Sequence, residues 1–293
     1  MKMNKNCEKC LFDKNEKRIP CGVSAEKREA FLASLACVIN ENREKSAPEV
    51  VEKINELRCE FFGGTKDYTE IKKHFNALML GLEEELWQNV NDSKDPLMLA
   101  VQYAMAGNFI DFGASESVDD EKLQEFLSAA KTAKADEAAV EKLRLDIFKA
   151  KEIVFFTDNC GEIVADKVLI RAMKKLNPNV RITAIVRGSP VLNDATREDA
   201  EQVRLDSVCD RVLDNGTAIA GTVMERMSED AKKAALSADV IIAKGQGNYE
   251  SLCGCGLPVH YIFMCKCELF VNRFRVPRYS GIITKEGEHG AEE

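Results

Sequence analysis

The sequence predicts an α/β protein: a doubly wound, mostly parallel sheet preceded by an all-α region. Three observations predict it. Before residue 150, apolar residues recur at helical spacing almost throughout. After it, short continuous apolar runs alternate with amphipathic stretches, as buried parallel strands alternate with the helices that cover them. Polar clusters rich in Asp, Asn, Gly and Lys stand directly after those runs, where open α/β sheets bind their ligands. The chain therefore divides into a helical domain, residues 1–150, and an α/β domain, residues 151–293, that carries the candidate site.

The helical half begins with Ser24–Asn42, which puts Phe31, Leu32, Leu35 and Val38 on one face. Ser46-Ala47-Pro48-Glu49 is a capping box with proline in the first turn, opening a helix through about Phe61. Asp67–Glu70 repeats an Asp-x-x-Glu start before a helix to about Val90. Asp95-Pro96 starts another that ends at Gly107, the run Ser117–Asp120 caps one more, and Asp136–Lys151 is the last. In the second half Ile153–Thr157, Arg181–Val186, Arg211–Leu213, Val240–Ala243 and Val259–Met264 read as strands. Glu162–Leu176, Thr196–Arg204 and Asp230–Ser237 read as the helices between them, and the acidic tail from Glu286 as frayed.

Composition narrows the function. At 293 residues, 45% hydrophobic and 31% charged, the chain has ample material for a core. A formal charge of -8 without a Lys/Arg-dense stripe argues against a nucleic-acid partner. The polar start and the shortness of the apolar runs argue against a signal segment or membrane span, so a cytoplasmic protein is expected. Eleven cysteines, an odd number, read as reduced thiols rather than a disulfide framework. With only three histidines, a catalytic metal has to lean on oxygen ligands or thiolates.

Four clusters can carry chemistry. Thr157-Asp158-Asn159-Cys160-Gly161-Glu162 follows the first strand, and its turn lets Asp158 and Asn159 converge on one point. A carboxylate and an amide oxygen there suit a hard cation that also binds phosphate, and the helix beginning near Gly161 aims its N–H groups at an anion. Taken alone, Asp158 or Asn159 reads equally well as a helix cap. The second cluster, from Arg187 to Thr196, adds Asp194 and Asn193 from a neighbouring strand end, again with a turn and helix cap as the plain reading. The third, Lys244-Gly245-Gln246-Gly247-Asn248-Tyr249, offers a cation and two glycines for close backbone approach, but is neither a dinucleotide fingerprint nor a P-loop. The fourth is Lys266, at the end of the Val259–Cys265 run. Together they describe a pocket for a metal and a phosphate.

The same segments resemble a known family. Asp-Asn-x-Gly-Glu-Ile-Val-x-Asp-Lys at 158–167, Gly-x-Pro-Val-Leu-Asn-Asp-Ala-Thr at 188–196 and Lys-Gly-Gln-Gly-Asn-Tyr-Glu at 244–250 are similar to motifs of the metal-dependent damage-control phosphatases, formerly domain of unknown function 89. Ala-Gly-Asn-Phe-Ile-Asp-Phe-Gly at 106–113, Asp-Tyr-x-Glu-Ile-Lys-x-x-x-Asn at 67–76 and Cys7-x-x-Cys10 add to the likeness, which points to the compact microbial branch. The resemblance implies a Rossmann-like α/β domain behind a helical region and hydrolysis of small phosphorylated metabolites, sugar phosphates or damaged ones. It implies a divalent metal (Mn²⁺, Ni²⁺, Co²⁺ or Mg²⁺) on Asp158, Asn159 and Asp194, with Asn108, Asp111, Lys244 and Lys266 completing the substrate pocket. On this reading the nucleophile is a metal-activated water, favoured over the Asp158 carboxylate, with Asp111 orienting it or protonating the leaving oxygen. Two places depart from the family pattern: Met264-Cys265-Lys266-Cys267-Glu268 replaces Lys-Ala-Lys-Cys-Pro, and Cys253-Gly254-Cys255 has no counterpart.

Two other functions compete. One is an adenosylmethionine-dependent carboxyl methyltransferase, which needs a Gly-rich turn where Asp158-Asn159 stand. The other is a non-catalytic module holding metal on Cys7, Cys10, Cys253 and Cys255. The sequence leaves substrate, native metal and oligomeric state open.

Overall fold

The computed structural model describes residues 1–64, 67–110, 120–131 and 135–288. Helices come first: α1 (Lys5–Lys17), α2 (Ala25–Glu41), α3 (Ala47–Phe62), α4 (Thr69–Asp92), α5 (Pro96–Gly107), α6 (Asp120–Ala130) and α7 (Glu137–Lys149). Strands and helices then alternate: β1 (Glu152–Phe156), α8 (Glu162–Leu176), β2 (Arg181–Val186), α9 (Arg197–Gln202), β3 (Arg211–Asp214), α10 (Glu229–Ser237), β4 (Val240–Lys244), α11 (Gln246–Leu252), β5 (Val259–Met264), α12 (Glu268–Phe274) and β6 (Gly281–Lys285).

Local chemistry accounts for the starts. Glu49 accepts the Ser46 N–H at 3.0 Å ahead of α3. Asp95 accepts the Met98 N–H at 3.0 Å at the head of α5, and Asp136 the Ala139 N–H at 3.0 Å at the head of α7. The differences from sequence expectation are also local. The charged N-terminal stretch forms α1, capped by Asn4 on the Cys7 N–H, although it offers little apolar surface to a periodicity test. Gln246–Leu252, within and just after the third polar cluster, forms the short helix α11, an element not expected there. The five-residue β6 is an antiparallel edge strand, paired with β5 alone.

The sheet order is β3-β2-β1-β4-β5-β6, with β1 to β5 parallel. Because β1 pairs with β2 on one side and β4 on the other, the connections leave it in opposite directions. At such a switch point a doubly wound sheet forms its crevice, here at the carboxyl ends of β1 and β4, from residues 157 and 244 onward. Alternate side chains of β1 enter different cores. Ile153 and Phe155 join α4 to α8, whereas Val154 and Phe156 join α10, α11 and α12. Residues from α4 and α5 thus share one core with β1 and α8, and the change of pattern near residue 150 is not a gap in packing. α1, α2 and α3 gather around their own cluster of Phe31, Leu35, Ile39, Val50 and Ile54. Among the described residues no helix is long and apolar enough to cross a membrane.

Two side chains one turn apart on α4 fix this arrangement over the crevice. Lys72 pairs with Asp199 at 2.6 Å. Asn76 donates to Asp199 and Gln202, each at 2.9 Å, and accepts the Gly161 N–H at 2.6 Å. Lys72 and Asn76 belong to the 67–76 motif, whose work here is to lock α4 onto the starts of α8 and α9. Asn76→Ala strands a buried N–H and weakens the hold on a buried carboxylate, so it is expected to cost on the order of 3 kcal/mol in urea unfolding.

Candidate active site

The site is made by two turns that fold onto each other. After β2 the chain loops out and returns. Arg187 donates its N–H to the Ala195 carbonyl at 2.9 Å, Ala195 to the Asp158 carbonyl at 2.7 Å, and Cys160 to the Asn193 carbonyl at 2.8 Å. Isolated bridges join Asn159 to Asp194 and Arg187 to Thr196. Leu192 turns the loop with φ of 47°, a left-handed conformation that branched, bulky residues rarely adopt. Asn193 and Asp194 follow, both buried, and the Asn193 amide reaches the Ile110 carbonyl at 3.1 Å.

Around this frame the polar side chains form one network. Asp158 Oδ2 accepts from Asn108 Nδ2 at 2.9 Å and Asn159 Nδ2 at 2.7 Å. Glu162 Oε2 accepts from the same two nitrogens at 2.7 and 2.8 Å. Asn108 Oδ1 takes the Met264 N–H at 3.0 Å, tying the end of α5 to the end of β5. Arg187, 2% exposed, donates Nε to Asp194 Oδ2 at 2.7 Å and brings Nη2 to 3.5 Å from Asp158 Oδ1. Its Nη1 is held by the Gly221 carbonyl at 2.9 Å and Asn248 Oδ1 at 3.1 Å. Gly245 (φ +82°) closes the floor, since a Cβ there would fall inside the Asp158 carboxylate.

Behind this layer lies a second set of charges. Lys244 is fully buried and commits its ammonium to Asp166 at 2.6 Å, Glu162 at 2.7 Å and the Ala104 carbonyl at 3.1 Å. Burial disfavours that charge, but Asp166 and Glu162 outweigh it and hold the lysine protonated. Asp166 is pushed up to about 7, by burial first, against the pull of Lys244 and with the added push of Glu162. Asp158 is held well above the ordinary carboxylate range by burial, then by Glu162 and Asp194, with Arg187 and Lys266 opposing.

The buried groups include four carboxylates (Asp158, Glu162, Asp166, Asp194) and three cations (Arg187, Lys244, Lys266). With all four ionised the cluster is one positive charge short, which is why Asp158 and Asp166 hold their protons tightly, and its front rank is oxygen-rich. Among the described residues no trio of His, Cys, Asp or Glu is set to hold a metal ion. A cation here would have to draw on the Asn159 amide oxygen as well as Asp158 and Asp194, which is the ligand chemistry of a hard divalent ion. On that chemistry the donor set fits.

Asp158, Asn159, Asp194 and Asn108 come together, and Lys266, 5% exposed, lies within electrostatic reach of Asp158. Lys244 meets the same network from behind and spends its donors on the protein. Asp111 lies outside the described residues. The anion site expected at the start of α8 is not formed: the Gly161 N–H goes to Asn76, and a Cβ on Gly161 would sit 2.8 Å from Ile110 and 3.0 Å from Phe75. Nor do the four cysteines assemble. Cys7 lies within electrostatic reach of Glu250 and Cys267, whereas the Cys255 thiol feels Glu286 and Cys253. Sequence reasoning missed Glu162, Asp166, Arg187 and Asn248. All four stood inside quoted motifs, but nothing in a sequence separates a strand-end arginine in solvent from one enclosed between two aspartates.

A sheet of this order, with an oxygen-rich, buried polar cluster at its switch point, defines a Rossmann-like α/β scaffold. The chain belongs to the damage-control phosphatase ARMT1-like domain family, whose profile matches residues 3–282. It is 33% identical over 223 residues to a damage-control phosphatase of Archaeoglobus fulgidus, covering 74% of each chain. It is 27% identical over 282 residues to one of Pyrococcus horikoshii, covering 95% of this chain and 96% of that one. The crystal structure of a Pyrococcus horikoshii protein of the former domain of unknown function 89 superposes with a TM-score of 0.79 at 24% identity, over 98% and 99% of the two chains, and shares the fold. Family membership supports a phosphatase role.

Two measurements probe the network. Asp166 binds its proton more tightly when folded, so its contribution to stability is full below its unfolded value near 3.8 and is lost as pH rises through about 7. Asp166→Asn is expected to flatten the fall in stability between about pH 4 and 7, read from chemical denaturation at several pH values. Gly245→Ala is expected to displace the Asp158 carboxylate and reduce turnover by about two orders of magnitude or more, a loss typical of removing one aligned polar group.

Proposed function

We propose that the protein is a metal-dependent phosphatase that hydrolyses phosphomonoesters of small metabolites, sugar phosphates and damaged phosphometabolites among them. The observation that carries the reading is the convergence of Asp158, Asn159 and Asp194 at the sheet's switch point, in a buried cluster short of one positive charge. A divalent cation held by these three residues (Mn²⁺, Ni²⁺, Co²⁺ or Mg²⁺) supplies charge to phosphate oxygens and acidity to water.

The chain's own residues divide the remaining work. Arg187 fixes Asp194 through Nε and stands beside Asp158, keeping both carboxylates aimed at one point. Asn108 holds Asp158 and Glu162 at fixed separation and acts as a positioning residue. Lys244 balances Glu162 and Asp166, so the front carboxylates do not face an uncompensated charge behind them. Lys266, within electrostatic reach of Asp158, is the lysine we assign to the phosphate oxygens.

The methyltransferase alternative has less room. The turn after β1 carries only Gly161, and Phe75 and Ile110 pack directly against it, where a nucleotide cofactor has to lie.

A screen of phosphomonoesters across divalent metals tests the reading. Turnover is expected only with metal added, and Asp158→Asn or Asp194→Asn is expected to lower it by about 10³-fold while leaving the circular dichroism spectrum unchanged. Full turnover by chelator-treated protein overturns the metal dependence; no turnover of any phosphomonoester with any metal overturns the activity.

A further inference from the structure

One large hollow holds none of the expected site residues. It is a cleft of about 1320 Å³ between the end of α1, α3, the start of α4 and the Pro190–Thr196 loop. Most charges on its walls are already balanced. Glu52 is paired with Arg226 at 3.0 Å, Glu56 with Lys53 at 2.9 Å, Asp199 with Lys72 at 2.6 Å and Lys73 with Glu70 at 3.0 Å.

Asp67 and Glu198, also on the walls, lie within electrostatic reach of Lys73, and two cations remain away from any of these carboxylates. Arg18 and Arg58 both line the cleft, and among the described residues neither has a carboxylate within ion-pair distance. Arg58 is held in place. Its guanidinium lies 5.8 Å from the Phe31 ring centre and 5.4 Å from that of Phe62. It donates to the Arg18 carbonyl at 2.8 Å and the Asn15 carbonyl at 3.4 Å. Burial, and then Arg18, depress its affinity for the proton. Two neighbouring guanidiniums without a counter-charge, one of them stacked and oriented, form an arrangement that a bound anion stabilises.

The opposite wall ties this cleft to the site. Pro190, Val191, Leu192 and Thr196 face the cleft, and the same loop carries Asn193 and Asp194 into the network with Asp158. We propose that the cleft receives the body of the substrate and that Arg18 and Arg58 bind a second anionic group, phosphate or carboxylate, remote from the reacting phosphate. The substrate class is then a phosphometabolite with two anionic ends, an assignment that rests on the phosphatase reading above.

Two arms separate the inferences. In the first, metal-free protein is titrated with inorganic pyrophosphate by calorimetry. Binding is expected in the wild type and in Asp194→Asn, and roughly tenfold weaker in Arg18→Gln and in Arg58→Gln. Among the described residues Arg18 makes no ring contact of the kind Arg58 makes, so its variant keeps the test meaningful if Arg58→Gln fails to fold. No binding by the wild type, or equal binding by a folded Arg18→Gln, overturns the anion site whatever the activity. In the second arm, a sugar bisphosphate and p-nitrophenyl phosphate are compared with metal present. Arg18→Gln is expected to raise KM for the bisphosphate roughly tenfold at unchanged kcat and to leave p-nitrophenyl phosphate unaffected. An equal effect on both, or on neither, overturns the substrate assignment. Hydrolysis of neither by the wild type overturns the phosphatase reading and leaves the first arm standing.

Discussion

The structure depends on keeping four carboxylates out of water at the carboxyl end of a parallel sheet. Burying one ionised group without a partner costs several kcal/mol. Every element that meets at the crevice therefore contributes a counter-charge or a hydrogen-bond donor. β4 brings Lys244, the loop after β2 brings Arg187, and the end of α5 brings Asn108. The helical layer is then more than a cover. It supplies Asn108 to Asp158 and Asn76 to the Gly161 N–H, so the two aspartates of the front rank hold their geometry only while α4 and α5 stay packed on α8.

The arrangement sorts its charges by depth. Glu162 is shared, with one oxygen turned to Asn108 and Asn159 and the other to Lys244. It transmits the position of the rear pair, Lys244 and Asp166, to the front pair without touching the crevice itself. Asn248 does the same for Arg187, since its amide nitrogen is pinned by the Lys244 and Thr157 carbonyls while its oxygen receives the guanidinium. Preorganisation of this kind spares the site from reorienting dipoles when charge develops on a substrate.

Much of this was legible in the sequence, for physical reasons that differ by element. The strands stood out because parallel strands covered on both faces have to be apolar throughout, as Val240–Ala243 and Val259–Met264 are. Helix starts stood out because Asp95, Asp136 and Glu49 accept from otherwise unpaired N–H groups. Asp158, Asn159 and Asp194 stood out because they follow strands directly. Depth did not show. Lys244 and Lys266 read alike as strand-end lysines, yet one is enclosed by Asp166 and Glu162, a distinction set by residues about 80 positions away. β6 escaped because an edge strand of five residues leaves a weak pattern, and α1 because its few apolar residues meet only a small satellite cluster.

Strand order also sets when the protein becomes whole as it is made. β1, β2 and β3 are contiguous in both sequence and sheet, so they pair early in synthesis, bringing Asp158 and Asp194 together with Arg187. Glu162 and Asp166 are already on α8 at that point, but Lys244 lies about 30 residues beyond the end of β3 and has still to emerge. Until β4 inserts beside β1, these two carboxylates have no counter-ion and α8 cannot settle fully against the helical layer. The nascent chain consequently passes through a stage in which the face of α8 that carries Glu162 and Asp166 stays hydrated, and the arrival of one lysine converts that face into the centre of the core.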